Sequence, residues 1–355
     1  MGWSDFNVWG RRAVAAATAG ALLAGGYGGY VWVKERSPGD RLAEACGGML
    51  PVDEVLALTG ATASGFGGRD LELTSDTYDV SESVREPGAI PTTCRANTLN
   101  VRIETAGGSR SAFDTYTFHR NDAPLPIPLP AGWSGFLVPE DEEEIGVSVL
   151  LDCPEWDRRE GAGILVNVER YDTDSSDASV RAQVARVATG AAERAAQRTG
   201  CGGEPGGRIT EVDSTAGTPS PADTERADGT CQGMTSHPRM QETAARTAPV
   251  ESCLLTDALL LRSYYGPFVR GEGEGRFGAW ERASGVTGFT AWGSAECRGA
   301  LGTAVYALRP VKDSDRSFDS APPTRSEYAD LRRFAEASAE RHHCSSLTLP
   351  AGPRG

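Results

Sequence analysis

Three kinds of apolar pattern run along the chain. Residues 13–33 carry no charge and stand between Arg11-Arg12 and Lys34-Glu35-Arg36; at ~1.5 Å per residue a helix of that length crosses a ~30 Å hydrocarbon layer. Trp3, Phe6 and Trp9 precede the run and Tyr27, Tyr30 and Trp32 close it, which suits aromatic rings at two membrane–water interfaces. Short runs bounded by turn residues predict strands at Leu99–Ile103, Val147–Leu151, Ile164–Val168, Leu254–Leu261, Gly288–Trp292 and Thr303–Leu308. Helical spacing puts Val180, Val184, Val187 and Ala191 on one face, with Arg181, Arg186, Glu193 and Arg194 mostly elsewhere, and Gly200 is a good helix stop. A second helix carries the stripe Tyr328, Leu331, Phe334 and Ala335.

These patterns occur twice, and the cysteines mark the repeat. Cys46-Gly47-Gly48-Met49 is echoed by Cys231-Gln232-Gly233-Met234, and Cys94 and Cys253 each precede an apolar run. Cys153 and Cys297 each follow a predicted strand and precede another, and Cys201 and Cys344 each end a predicted helix. The chain therefore divides into a cytoplasmic N-terminus (1–12), a transmembrane anchor (13–33), a short stalk (34–41), a first four-cysteine domain (42–201), a flexible linker (202–230), a second domain (231–347) and a disordered C-terminus (348–355). The linker is placed by its glycine, proline, serine and threonine content, which leaves the second domain free to swing. The expected class is α+β: a transmembrane helix followed by two tandem disulfide-stapled domains, each a small, mostly antiparallel sheet with one or two helices on one face. The second copy lacks much of the region between its first two cysteines, so its first helix is expected to be short or missing.

Composition adds a compartment. Eight cysteines, an even number with no CxxC pair, suit structural disulfides in an oxidising compartment better than zinc sites or redox motifs. Three pairings are open within each copy. The expectation is first with fourth and second with third, Cys46–Cys201 and Cys94–Cys153, then Cys231–Cys344 and Cys253–Cys297, since the second and third cysteines lie at the ends of predicted strands that could be neighbours. Oxidised cysteines place the C-terminal bulk outside a cell membrane and the N-terminus in the cytoplasm; the flanking charges do not decide it. A cleaved signal peptide, cut near Ala24-Gly25-Gly26, is the competing reading, and the length of the uncharged run favours the anchor. Ala17, Ala21, Gly25 and Gly29 recur every fourth residue, a face that would admit a partner helix and self-association. The net charge of −14 argues against nucleic acid and anionic lipid surfaces.

With the Cys46-Gly47-Gly48 leader and the helix ending at Gly200-Cys201, the chain resembles membrane-anchored or secreted actinobacterial proteins of unknown function. That resemblance implies the compartment and the duplicated fold, and it brings no catalytic residues.

The search for chemistry finds no cofactor or metal motif. Gly132-Trp133-Ser134-Gly135 lacks the GxSxG spacing of a serine nucleophile, and the histidines are His119, His237, His342 and His343. His342-His343-Cys344 reads as a helix end, where histidine suits the dipole, rather than a metal cluster. Asp172, Asp174 and Asp177, with Asp313 and Asp315 in the second copy, lack the sixth-position glycine and twelfth-position glutamate of a calcium loop and are expected to cap the following helix. Glu140 to Glu144 reads as a solvated loop, and Gly271, Gly273, Gly275 and Gly278 as a hairpin without the context of a phosphate cradle. Pro124, Pro126, Pro128 and Pro130 alternate with apolar residues and read as an extended strap over the first domain.

The expected function is a non-enzymatic envelope protein that binds a protein or small ligand outside the membrane or acts as a scaffold. The alternatives are a cell-envelope enzyme, with Glu140 to Glu144, Asp172 and Asp174 as first candidates, and a structural subunit of a membrane complex.

Overall fold

The computed structural model describes residues 37–62, 71–76, 92–107, 125–139, 143–156, 162–212, 222–255, 259–269, 282–311 and 322–352. The anchor 13–33 and its Ala17, Ala21, Gly25 and Gly29 stripe lie outside them. Among the described residues no helix is long and apolar enough to cross a membrane.

The first copy opens with helix α1 (Pro38–Glu44), which has Pro38 in its first turn and is capped by the Ser37 side chain on the Asp40 N–H. A 3-10 turn holding Cys46 (Ala45–Gly48) and helix α2 (Val52–Thr59) follow. Seven strands come next: β1 (Leu73–Asp76), β2 (Thr92–Ala96), β3 (Leu99–Thr105), β4 (Ile127–Pro128), β5 (Gly135–Pro139), β6 (Ile145–Asp152) and β7 (Gly163–Arg170). The long helix α3 (Ala178–Thr199) closes the copy, with Asp177 as its N-cap and Gly200 left-handed at its end. The second copy has β8 (Ala222–Asp223), β9 (Arg239–Glu242), β10 (Val250–Leu255), β11 (Leu259–Tyr265), β12 (Ser284–Thr287), β13 (Thr290–Glu296), β14 (Thr303–Pro310), helix α4 (Arg325–Arg341) and β15 (Ser345–Thr348). Among its described residues no helix stands between Cys231 and Cys253, and a 3-10 turn, Thr224–Arg226, precedes them. The apolar run Leu254–Leu261 is a hairpin of two strands rather than one.

Both sheets are antiparallel, and six strands stand in the same order in each. The first runs β1-β2-β3-β7-β6-β5-β4 and the second β8-β9-β10-β11-β14-β13-β12, with β15 added to β13. One row of residues makes the equivalence explicit. Cys94, Val101, Val168, Val147, Leu137 and Ile127 are successive cross-strand partners in the first sheet. Cys253, Leu261, Leu308, Ala291 and Val286 are successive partners in the second. The inward residues of α3 (Val184, Val187, Ala191) and of α4 (Leu331, Phe334, Ala335) pack on this face of each sheet. Arg181 departs from its expected place on the polar side of α3: it is buried and donates to the carbonyls of Ser175 and Ser176.

All eight cysteines are paired, but not as the sequence suggested. The bonds are Cys46–Cys94, Cys153–Cys201, Cys231–Cys253 and Cys297–Cys344: first with second and third with fourth, the same in both copies. The expected second-to-third pairing fails because β3 and β7 lie between β2 and β6, and β11 and β14 between β10 and β13. The fourth cysteine instead leaves its helix beside the end of the strand that carries the third, with Cα atoms 4.5 Å apart in the first copy and 4.2 Å in the second.

Part of the second face of each sheet is buried as well. Phe136, Val138, Leu150 and Leu165 of the first sheet pack against Val250, Tyr264, Phe268 and Ala300 of the second copy. The layers therefore run helix, sheet, sheet, helix. Where the copies meet, the Asp152 carboxylate accepts the Ala300 N–H at 2.7 Å. The neighbouring Gly299 is left-handed (φ 62°), and a Cβ there would run into that carboxylate.

This packing corrects two expectations. The segment 202–230 is no free tether over its described part: Ile209 and Val212 are buried in the first core, and the Trp133 indole donates to the Gly207 carbonyl at 2.8 Å. The segment lies over α3 because that helix leaves apolar surface and buried arginines to be covered; Arg186 donates to the Ile209 carbonyl. The C-terminal segment is likewise ordered through residue 352, with Thr348 in β15, Leu349 packed on the second core and Pro350 buried.

Candidate functional site

The densest polar cluster among the described residues lies between the second sheet and the last turn of α4. Glu251 points to the helix side of β10, two residues before Cys253 and on the same face, and is 1% exposed. Its carboxylate accepts from Arg341 Nε at 3.0 Å and Nη2 at 2.9 Å, and from the Ser338 hydroxyl at 2.6 Å; His342 Nε2 lies 3.0 Å away. Tyr265 extends the network: its hydroxyl stands 2.5 Å from Ser338 Oγ and 3.5 Å from the Tyr306 hydroxyl, and its ring lies over His342 with centroids 4.0 Å apart.

The titrations follow from this arrangement. Burial pushes the Glu251 carboxyl up, but the hydrogen bonds from His342 and Arg341 and the charge of Arg341 outweigh it and hold the group below its ordinary value. Burial opposes the charge on Arg341, yet Glu251 keeps it above its usual range. Burial and the Glu251 charge raise Tyr265 well above the ordinary phenol value; Tyr306, mainly through burial, is pushed up to about 12. At neutral pH both phenols are protonated.

The order of groups decides the chemistry. A serine nucleophile needs histidine between the hydroxyl and the acid, so that the imidazole takes the proton. Here Glu251 stands between Ser338 and His342, which leaves Ser338 a donor to a carboxylate and not an activated nucleophile. Every Glu251 contact ties α4 to the sheet beside the Cys297–Cys344 bond, so the cluster is a clamp. A second clamp lies on the same helix, where buried Asp330 accepts the backbone N–H groups of Thr235 and Ser236 at 3.0 and 2.8 Å. In the first copy the matching sheet positions are Ile103 and Val166 where the second has Ser263 and Tyr306. Counting back from the last cysteine, Ala195 matches Ser338. Thr92 stands at the position of Glu251, so the buried carboxylate and its network belong to the second copy, added to the apolar stripe that both helices carry.

The residues singled out in the sequence are dispersed. His342 joins the clamp, while His343 takes the left-handed place (φ 53°) that Gly200 (φ 63°) fills in the first copy. His237 pairs with the neighbouring Ser236 hydroxyl at 2.9 Å; His119 lies outside the described residues. Asp177 caps α3 through the N–H groups of Ser179 and Val180, and Asp174 accepts from Ser176; these hydrogen bonds lower both carboxyl pKa values. Asp172 adopts a left-handed turn. Asp313, Asp315, Glu140 to Glu142 and the Gly271 to Gly278 loop fall outside the described residues; the Glu143 carbonyl accepts the Thr173 N–H. Among the described residues no group of three or more His, Cys, Asp or Glu could hold a metal ion. Ser134 sits in the β4–β5 turn, where its carbonyl accepts the Leu150 N–H. Pro128 lies in β4, a two-residue edge strand that pairs with β5, while Pro126 and Pro130 flank it and Pro124 lies outside the described residues.

Sequence reasoning missed Glu251, Ser338, Tyr265 and Tyr306. The one available signal was Glu251 at two residues before a cysteine that must face inward. No family model, curated protein or solved structure matches the chain.

Proposed function

We propose that the protein is a membrane-anchored, extracytoplasmic binding or scaffold protein of the cell envelope, with residues 13–33 as its anchor. The observation that carries this reading is the pairing of all eight cysteines inside their own copies, which suits an oxidising compartment. The back-to-back sheets support a rigid body standing on the anchor, and a rigid body presents binding surface at low entropic cost. The densest buried polar cluster among the described residues has the geometry of a clamp, which favours binding over hydrolysis as the reading.

Cross-linking in intact cells, followed by affinity recovery of the full-length protein, tests the proposal. A reproducible envelope partner is the expected result. Recovery of the protein alone, with its cysteines open to a membrane-impermeant thiol reagent only after cell lysis and reduction, would sink both the binding role and the placement.

A further inference from the structure

The two copies differ at one sheet edge. In the first, β4 covers the outer side of β5: Ile127 faces Leu137, Pro128 faces Phe136, and the Leu129 N–H donates to the Gly135 carbonyl at 2.9 Å. Leu125, Ile127 and Leu129 of this strap are all buried, and Leu137 is 0% exposed. The strand equivalent to β5 is β12, because Leu137 pairs with Val147 as Val286 pairs with Ala291 in the matching row. Strand β12 is the last of its sheet, and among the described residues no strand pairs with its outer side. Val286, at the place of buried Leu137, is 38% exposed and one of two large hydrophobic side chains that stand out from the described surface.

Resting on the binding reading above, we propose that the outer edge of β12 docks an extended aliphatic, proline-bearing segment of a partner protein by antiparallel strand addition, in the manner in which the first copy holds its own strap. An exposed edge offers a row of backbone N–H and C=O groups to an incoming strand. The first copy shows what completes this edge: a short strand with an aliphatic residue opposite position 286. Proline is tolerated in such a strand because only one of its edges pairs with the sheet. A second copy of β12 is a poorer occupant, since it would bring one aliphatic side chain, Val286, where the strap brings three.

The test uses the full-length protein in detergent and a fluorescent peptide with the strap sequence, residues 124–131. Saturable binding is expected, with new hydrogen-exchange protection at residues 284–287 and binding weakened at least about tenfold by Val286→Arg. Tyr171→Arg, which adds the same charge at the other exposed large hydrophobic position, is expected to leave binding unchanged. Four results overturn the proposal: protection, in the free monomer, of the amides in 284–287 that point away from β13, protection of those amides that appears with dimerisation, peptide-induced protection at 135–139 in place of 284–287, or equal binding by Val286→Arg. The broader reading is judged separately. An envelope partner recovered equally with wild type and Val286→Arg removes the edge and keeps the binding role, whereas no partner with wild type removes that role.

Discussion

Phe136 of the first sheet meets Phe268 of the second copy edge-on, with ring centroids 5.3 Å apart. Both rings are buried, and they join two sheets whose other faces each carry a helix. Edge-to-face pairs contribute about 0.5–1.5 kcal/mol beyond their area. Phe136→Ala is therefore expected to cost about 3–5 kcal/mol in denaturant unfolding, and the double variant with Phe268→Ala to cost less than the sum. Full additivity would mean that the rings do not couple the copies.

Glu251 and Arg341 form a doubly hydrogen-bonded pair with little solvent. Removing one partner strands the other charge, so Glu251→Leu is expected to destabilise the second copy by about 3–5 kcal/mol. Replacing Glu251, Arg341 and His342 together by aliphatic residues is expected to recover much of that loss, because no charge is then left buried without its partner. Thermal unfolding of both variants checks the comparison; a triple variant no more stable than the single one would mean that the network's shape matters more than its charge.

The same network bounds the stability profile on both sides. The folded pKa of Glu251 is lowered from 4.5, so its contribution is complete above the unfolded value and is lost as pH falls below 4.5 through the folded one. Tyr306 is raised from 10.0 to about 12; a phenol held protonated stabilises fully below pH 10 and loses that contribution as pH rises towards 12. Unfolding free energy measured across pH should be flat between these limits as far as these groups are concerned. The Glu251→Leu variant should lose the acid limb and Tyr306→Phe part of the alkaline one.

Cys153–Cys201 and Cys297–Cys344 close loops of 48 and 47 residues. Chain-entropy arguments give each about 4 kcal/mol. Non-reducing peptide mapping is expected to return four bonds, none between copies, and serine pairs at either site should lower the unfolding midpoint. A Cys94–Cys153 peptide would contradict the sheet order itself.

The duplication, the antiparallel α+β class and strands β3, β6, β7 and β14 were legible because local alternation and helical spacing are set by residues a few positions apart. Val147–Leu151 is interrupted by Ser148, so its burial on both faces, under α3 on one side and against the second copy on the other, was not legible in the run itself. The Asp177 cap and the Gly200 stop were read correctly for the same local reason.

The disulfide pairing, the docking of 202–212, the clamp at Glu251 and the contrast between Leu137 and Val286 were not legible. Each depends on which distant segments become neighbours. Strand order decided the pairing, since two strands intervene between the second and third cysteines. Burial of Glu251 became intelligible only when Ser338, Arg341 and His342 arrived on a helix about ninety residues later in the chain. By itself the sequence determined the apolar stripes of the two long helices and that the domain is repeated, because periodicity is a local property. Only the tertiary structure decided what each inward face meets, because contact between remote segments is fixed by packing rather than by spacing.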